Sequence, residues 1–152
     1  MYISDGNFDA LPTDIGLIAN NFFKSTDDYG MYLTDIEFTN IYHKTSYGEP
    51  AIRINDPVSL DVRNNIFASN TDFVFEEDDN TSIDPLDYNV YYAAPGNTNF
   101  VQYGSNSYAT LADWQTASGQ DANSISVDPQ YTSTTAPFDL HVAEPALQDA
   151  GG

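Results

Sequence analysis

The chain has 152 residues, 41% of them hydrophobic and 14% aromatic, which suffices to fill the core of one ordinary domain and excludes a disordered chain. Four Lys and Arg stand against 23 Asp and Glu, and a net charge of −19 repels both nucleic acid and anionic membrane surfaces. Cysteine is absent, ruling out disulfides, thiolate zinc sites and a cysteine nucleophile, and no apolar run reaches the length of about 18 residues that membrane insertion requires.

The amino terminus, MYISDGNFDA, has neither a basic region nor an apolar run of the kind that directs export. Aspartate outnumbers glutamate by 18 to 5. Asp caps, turns and coordinates hard cations whereas Glu favours helix surfaces, so the balance predicts a turn-rich β protein.

Four phrases then follow one another: GLIANNFF at 16–23, IEFTNIY at 36–42, LDVRNNIF at 60–67 and LDYNVYY at 86–92. Each places alternating residues before an asparagine and two bulky residues after it. From Asn21 to Asn40 is 19 residues, from Asn40 to Asn65 is 25, and from Asn65 to Asn89 is 24. Such a period marks a solenoid, in which each unit buries its apolar side only against the next. A second alternating run precedes three of the phrases: GMYLTD at 30–35, AIRIND at 51–56 and DFVFEE at 72–77. Strand periodicity turns Ile52, Ile54, Leu60 and Val62 inward, and Arg53, Asp61 and Arg63 outward. Asp27-Asp28-Tyr29-Gly30, Gly48-Glu49-Pro50 and Asp56-Pro57 supply the corners. The expected fold is all-β, a short parallel β-helix of three to four coils over residues 13–92. Asn21, Asn40, Asn65 and Asn89, with the neighbouring Asn20 and Asn64, are expected as an inward ladder that satisfies backbone groups at the corners. Ligand contact is the alternative role for these asparagines.

Residues 93–152 read as a cap on the coils within the same domain. A short helix is predicted near 110–118: Thr110 and Asp113 form a capping box, Leu111 and Trp114 share one face, and Gly119 ends it. NNIF, DYNVYY, YATLADWQTASGQDANSISVDPQY, FDLHV and EPALQDAG, in that order, resemble the last part of bacterial right-handed parallel β-helix proteins of the pectin-lyase-like superfamily. The resemblance implies a right-handed helix, an extracellular or cell-surface location and a carbohydrate partner. It is shared among polysaccharide lyases, glycoside hydrolases and surface proteins without known activity. By number of coils the chain resembles a carboxyl-terminal fragment or a short relative, and EPALQDAGG departs from the more usual SPAIDAG ending.

A lyase of that family would need carboxylates that hold calcium or neutralise a uronate, and a base to remove a proton. The candidate bases are Lys24, His43, Lys44, Arg53 and Arg63. Arg53 and Arg63 are expected on adjacent strands of one coil beside Glu37 and Asp61, as a catalytic constellation or a cross-strand surface ion pair. His43 and Lys44 are expected at a solvated corner. Glu76, Glu77, Asp78 and Asp79, with Asp84 or Asp87, supply oxygen ligands for calcium or form a solvated loop, and they lack the EF-hand spacing. No cofactor is required beyond that possible calcium. Tyr29, Tyr32, Tyr42 and Tyr47 are the sugar-stacking candidates, while Trp114 is expected to pack over the coils. The favoured function is a noncatalytic extracellular module that interacts with a neutral polysaccharide or glycan. Two alternatives stand beside it: a self-assembling structural or adhesive surface protein whose coil ends stack into homo-oligomers, and a calcium-dependent polysaccharide lyase or glycoside hydrolase.

Overall fold

The structure is a computed structural model that describes residues 2–3, 16–25, 28–37, 39–42, 44–79, 83–135, 137 and 139–142. His43, residues 13–15 at the expected start of the coils and the EPALQDAGG tail lie outside the described residues.

Strands recur in threes. A first set, β1 (Tyr2–Ile3), β2 (Gly16–Ala19) and β3 (Phe22–Lys24), precedes three complete turns. These are β4 (Met31–Thr34), β5 (Thr39–Tyr42) and β6 (Thr45–Tyr47); β7 (Ile52–Asn55), β8 (Asp61–Arg63) and β9 (Ile66–Ser69); and β10 (Phe75–Glu77), β11 (Leu86–Asp87) and β12 (Val90–Ala93). Each strand pairs in parallel with its counterpart one turn away, giving three sheets: β1-β4-β7-β10 in sheet A, β2-β5-β8-β11 in sheet B and β3-β6-β9-β12 in sheet C. The protein is a short parallel β-helix, as its period predicts.

The inward columns follow from strand alternation and stacking. Met31, Ile52, Phe75 and Val101 are in register in sheet A, Ile18, Ile41, Val62 and Leu86 in sheet B, and Phe23, Ser46, Phe67 and Tyr91 in sheet C. Their apolar members form one core. Ser46, the one small residue of its column, leaves room for a close corner. A Cβ on Gly30 would lie 2.3 Å from Ser46 Oγ, and one on Gly48 would lie 2.1 Å from Gly30 N. These glycines therefore serve backbone contact between turns. Tolerance of the left-handed region is used instead at Asp35, Asp56 and Asn64, with φ of 53°, 49° and 57°.

Stacking continues beyond residue 92, further than the repeat of phrases suggests. Sheet A gains β13 (Val101–Tyr103), which turns back as an antiparallel hairpin with β14 (Asn106–Tyr108). Helix α1 (Leu111–Ser118) takes the place of the next sheet B strand, burying Leu111 and Trp114 over the core. Its caps are those predicted: Thr110 Oγ1 accepts from Asp113 N, and Gly119 closes the helix at φ 72°. Sheet C gains β15 (Ile125–Ser126). The last elements, β16 (Tyr131–Ser133) and β17 (Asp139–Val142), form an antiparallel pair. That pair lies against the outer side of sheet C, where Leu140 and Tyr131 pack on Tyr47, Ala68 and Tyr92. The carboxyl-terminal third thus closes one coil end with a helix and covers one side with a hairpin.

Candidate functional site

Tyr32, Arg53, Glu76 and Gln102 stand in register on the outer face of sheet A. The Tyr29 and Tyr32 ring centroids are 5.0 Å apart, and the Arg53 guanidinium lies 5.5 and 5.6 Å from them. Arg53 donates from Nε and Nη2 to Asp78 Oδ2 at 2.9 and 2.6 Å, and from Nη1 to the Tyr29 hydroxyl at 2.9 Å. Glu76 Oε1 is 3.8 Å from Nη1. Burial works against the Arg53 charge, but Asp78 and Glu76 outweigh it and hold the proton firmly. Burial also pushes the Glu76 carboxyl up, against the opposing pull of Arg53.

Sheet B carries a second cluster. Arg63 donates to both carboxylate oxygens of Asp61 and, at 3.1 Å, to the Tyr42 hydroxyl, which itself donates to Asp61. The guanidinium lies 5.5 Å from the Tyr42 ring centroid. Arg53 and Arg63 project outward from β7 and β8, consecutive strands of one coil, as expected, but each is bonded to its own carboxylate and they share no partner among the described residues. Glu37 sits at the corner between sheets A and B, bridged to Val58, and has no ion pair with either arginine among the described residues. Both arginines are committed to carboxylates, which keeps them cationic.

The acidic run is likewise divided. Glu76 faces outward beside Arg53, while Glu77 stacks in the inward register of Ile54 and Tyr103 and is fully buried, its carboxylate accepting from Asp79 N. Asp78 belongs to Arg53, and Asp79 accepts from Asp56 N at 2.8 Å. The four carboxylates do not converge as one set of ligands, and among the described residues no cluster of three or more potential metal ligands occurs. Asp84 is exposed, and Asp87 is bonded to Asn123.

Asp79 also repels Asp56, and this repulsion, followed by burial and Asp35, raises the Asp56 pKa. A carboxyl raised in the folded state costs stability while ionised and regains it as the pH falls through that value. Asp56→Asn, which still tolerates the left-handed φ of 49°, is expected to raise the melting temperature at neutral pH and low salt. The rise is at most about 3 °C and disappears below roughly pH 4, as calorimetry across pH will show.

The four candidate tyrosines occupy three faces. Tyr29 and Tyr32 meet on sheet A, and Tyr42 belongs to the Arg63 cluster on sheet B. Tyr47, a sugar-stacking candidate by sequence, is 8% exposed beneath the β16-β17 hairpin, with its ring 6.0 Å from that of Tyr131 and its hydroxyl bonded to Asn70. Hairpin cover removes it as a stacking platform. Lys24 lies beside it, 5.1 Å from its ring centroid.

The asparagine ladder exists in part. Asn65 Nδ2 donates to Ile41 O and Asn89 Oδ1, and Asn89 Nδ2 donates to Val62 O. Asn89 N continues the column by donating to Ser124 Oγ. Asn20 and Asn64 occupy the preceding corner position at φ 57°, which explains the paired asparagines: one turns the corner and the next fills the ladder. Asn21 is in the column but exposed, its Nδ2 donating to Ala19 O. Asn40 is outside it, on the outer face of sheet B opposite Asp61.

The missing rung is Lys44. Strand register places it in line with Asn21 and Asn65, and its own N–H donates to Asn65 Oδ1 at 3.0 Å. It is 1% exposed, so the solvated corner expected from sequence is wrong for this residue. Its Nζ lies 5.6 Å from the Phe23 ring centroid and has no hydrogen-bond partner among the described residues. Burial lowers its pKa to about 8. Aligning His43-Lys44-Thr45 with Asn64-Asn65-Ile66 would have located it.

Two further groups were missed. Glu49 holds the 69–72 loop by accepting from Ser69 Oγ, Asn70 N, Thr71 N and Asp72 N. Asp121, 1% exposed, accepts from Trp114 Nε1 at 2.8 Å, from the Tyr91 hydroxyl and from Ser124 Oγ. It joins α1 to the end of the ladder. Comparison of the chain with protein-family models, curated proteins and solved structures gave no match.

Proposed function

We propose that the protein is a noncatalytic carbohydrate-interacting β-helix module that takes a neutral glycan on the outer face of sheet A. The observation that carries this reading is the Tyr29–Tyr32 pair braced by Arg53, with Asp78 and Glu76 beside it. Aromatic faces stack on the C–H faces of sugar rings, while neighbouring charged groups hydrogen-bond hydroxyls. The charge of −19 favours a neutral glycan over an acidic one. Both arginines are paired with carboxylates, which leaves neither guanidinium as the base that the lyase reading needs. An extracellular or cell-surface location and kinship with the pectin-lyase-like superfamily belong to the same proposal and rest on the resemblance of the sequence phrases.

Neutral oligosaccharides on an array, followed by calorimetric titration, test this reading. Binding without new reducing or unsaturated ends is expected, and Tyr32→Ala should weaken it roughly 10-fold with little change in melting temperature. Silence across the array would overturn the proposal, and new chain ends would favour the lyase or hydrolase reading. Self-assembly is the second reading, supported by exposed Leu17 and Phe22, at 66% and 60%, on first-set strands that pair on one side only among the described residues. Growth in mass with concentration, measured by light scattering with calcium and with chelator, would favour that alternative.

A further inference from the structure

Each rung of the ladder reaches back to the turn before it. Asn89 Nδ2 donates to Val62 O and Asn65 Nδ2 to Ile41 O, so one side chain ties each of these turns to its predecessor. At the junction between β5-β6 and β2-β3 the register puts Lys44 in that position, and its Nζ makes no hydrogen bond among the described residues. Asn21 does not supply the link from the other side, because its Nδ2 turns back to Ala19 O within its own set. Backbone bonds do cross this junction, Thr45 N to Asn21 O at 3.2 Å and Ser25 N to Tyr47 O at 2.9 Å, as they cross the later one from Val90 N to Asn65 O at 2.8 Å. The difference between the junctions lies in the side chains.

A buried ammonium without a hydrogen-bond partner works against the packing that covers it. At this junction the packing is thin. Ile18 and Phe23, the inward members of β2 and β3, are only partly buried, whereas Ile41, Val62 and Phe67 in the same columns are fully buried. The Phe23 ring, 5.6 Å from Nζ, offsets the charge weakly, and Leu17 and Phe22 on the same two strands stay exposed. Both strands pair on one side only among the described residues. Moving them aside lets the ammonium reach water while the later turns keep their ladder, their core and the capping helix. We propose that β2-β3 is a releasable arm and that Lys44 beneath it sets its release. Turns of a solenoid are held by nearest-neighbour contacts, so the junction that lacks a rung and seals in a charge opens before the others. Release leaves the edges of β5 and β6 unpaired, the kind of edge that accepts a strand from another chain. This device is separate from the sheet A face and does not depend on the carbohydrate reading.

Amide hydrogen exchange of the full chain, resolved by residue and corrected for intrinsic rates, tests the arm. The N–H groups of Ser25 and Thr45 bond across the arm junction, and those of Val90 and Ala94 bond between later turns. Ser25 and Thr45 are expected to exchange at least about 100-fold faster than Val90 and Ala94, and with a weaker dependence on denaturant. Lys44→Met removes the charge that release relieves, and is expected to slow exchange at Ser25 and Thr45 by at least about 10-fold. Lys44→Asn, which can supply the missing rung, is expected to slow them in the same direction. Equal protection of all four amides in the unaltered chain would overturn the arm. Fast exchange at Ser25 and Thr45 that neither variant slows would overturn the role of Lys44. Melting curves establish that the variants are folded, and should Lys44→Met fail to fold, Lys44→Asn and the order of exchange in the unaltered chain decide the matter.

Discussion

Lys44→Met is expected to stabilise the protein by about 2–3 kcal/mol at neutral pH, raising the melting temperature by roughly 5–10 °C. The side chain is 1% exposed and its ammonium has no hydrogen-bond partner among the described residues, so charge is held in the core with the Phe23 ring face as a weak offset to its burial. Methionine keeps the length and apolar contact with Phe23 while removing that charge. The pH dependence has a definite sign. Folding lowers the Lys44 pKa to about 8, against about 10.4 for an unfolded lysine. Below pH 8 both states are charged and the folded state bears the full cost. Between the two values the folded state has released its proton while the unfolded state keeps it, so stability rises with pH. Thermal melts from pH 7 to about 9.5 should show the gain of Lys44→Met shrinking as the pH rises. Lys44→Asn is expected to gain less, because it completes the ladder but leaves the volume of the lysine stem empty. An unchanged or lowered melting temperature for Lys44→Met would show that the ammonium is compensated.

Asp121→Ala is expected to cost about 3–5 kcal/mol, the largest loss from any one carboxylate among the described residues. Four donors, Trp114 Nε1, the Tyr91 hydroxyl, Ser124 Oγ and Asn89 Nδ2, meet at this side chain in the core, and removing it leaves buried groups unpaired. Alanine would also have to adopt a φ of 56°, which aspartate tolerates better. Asp121→Asn retains an acceptor and that tolerance, and should lose about half as much. Burial raises the Asp121 pKa even against hydrogen bonds from Ser124, Trp114, Asn89 and Tyr91. The folded state therefore binds this proton more tightly than the unfolded state, and acidification through the folded value removes the cost of the buried charge. Denaturant melts followed by Trp114 fluorescence will report both the stability and the detachment of α1. Equal stability of Asp121→Ala and the native chain would show that the helix is held by Leu111 and Trp114 packing alone.

These two residues mark where local patterns stop being informative. Strand alternation and the recurring asparagine phrase are properties of neighbouring residues, so the β-helix, the inward Ile52, Ile54 and Val62, the Asn65–Asn89 rungs and the capped helix near 110–118 were all legible. A period of two says that a side chain faces in or out. It does not say which side chains an outward residue meets, and Arg53 and Arg63 consequently pair with separate carboxylates. The phrase at Asn40 matches its neighbours in composition, yet the register between turns places Asn40 on sheet B and Lys44 in the ladder. Tyr47 faces outward as alternation requires, but the β16-β17 hairpin returns to cover it. The sequence by itself determined the repeating fold, because stacking similar turns follows from local alternation and corner chemistry. Only the tertiary structure decided which outward residues meet and which polar groups are sealed in, because those outcomes depend on contacts between residues far apart in the chain.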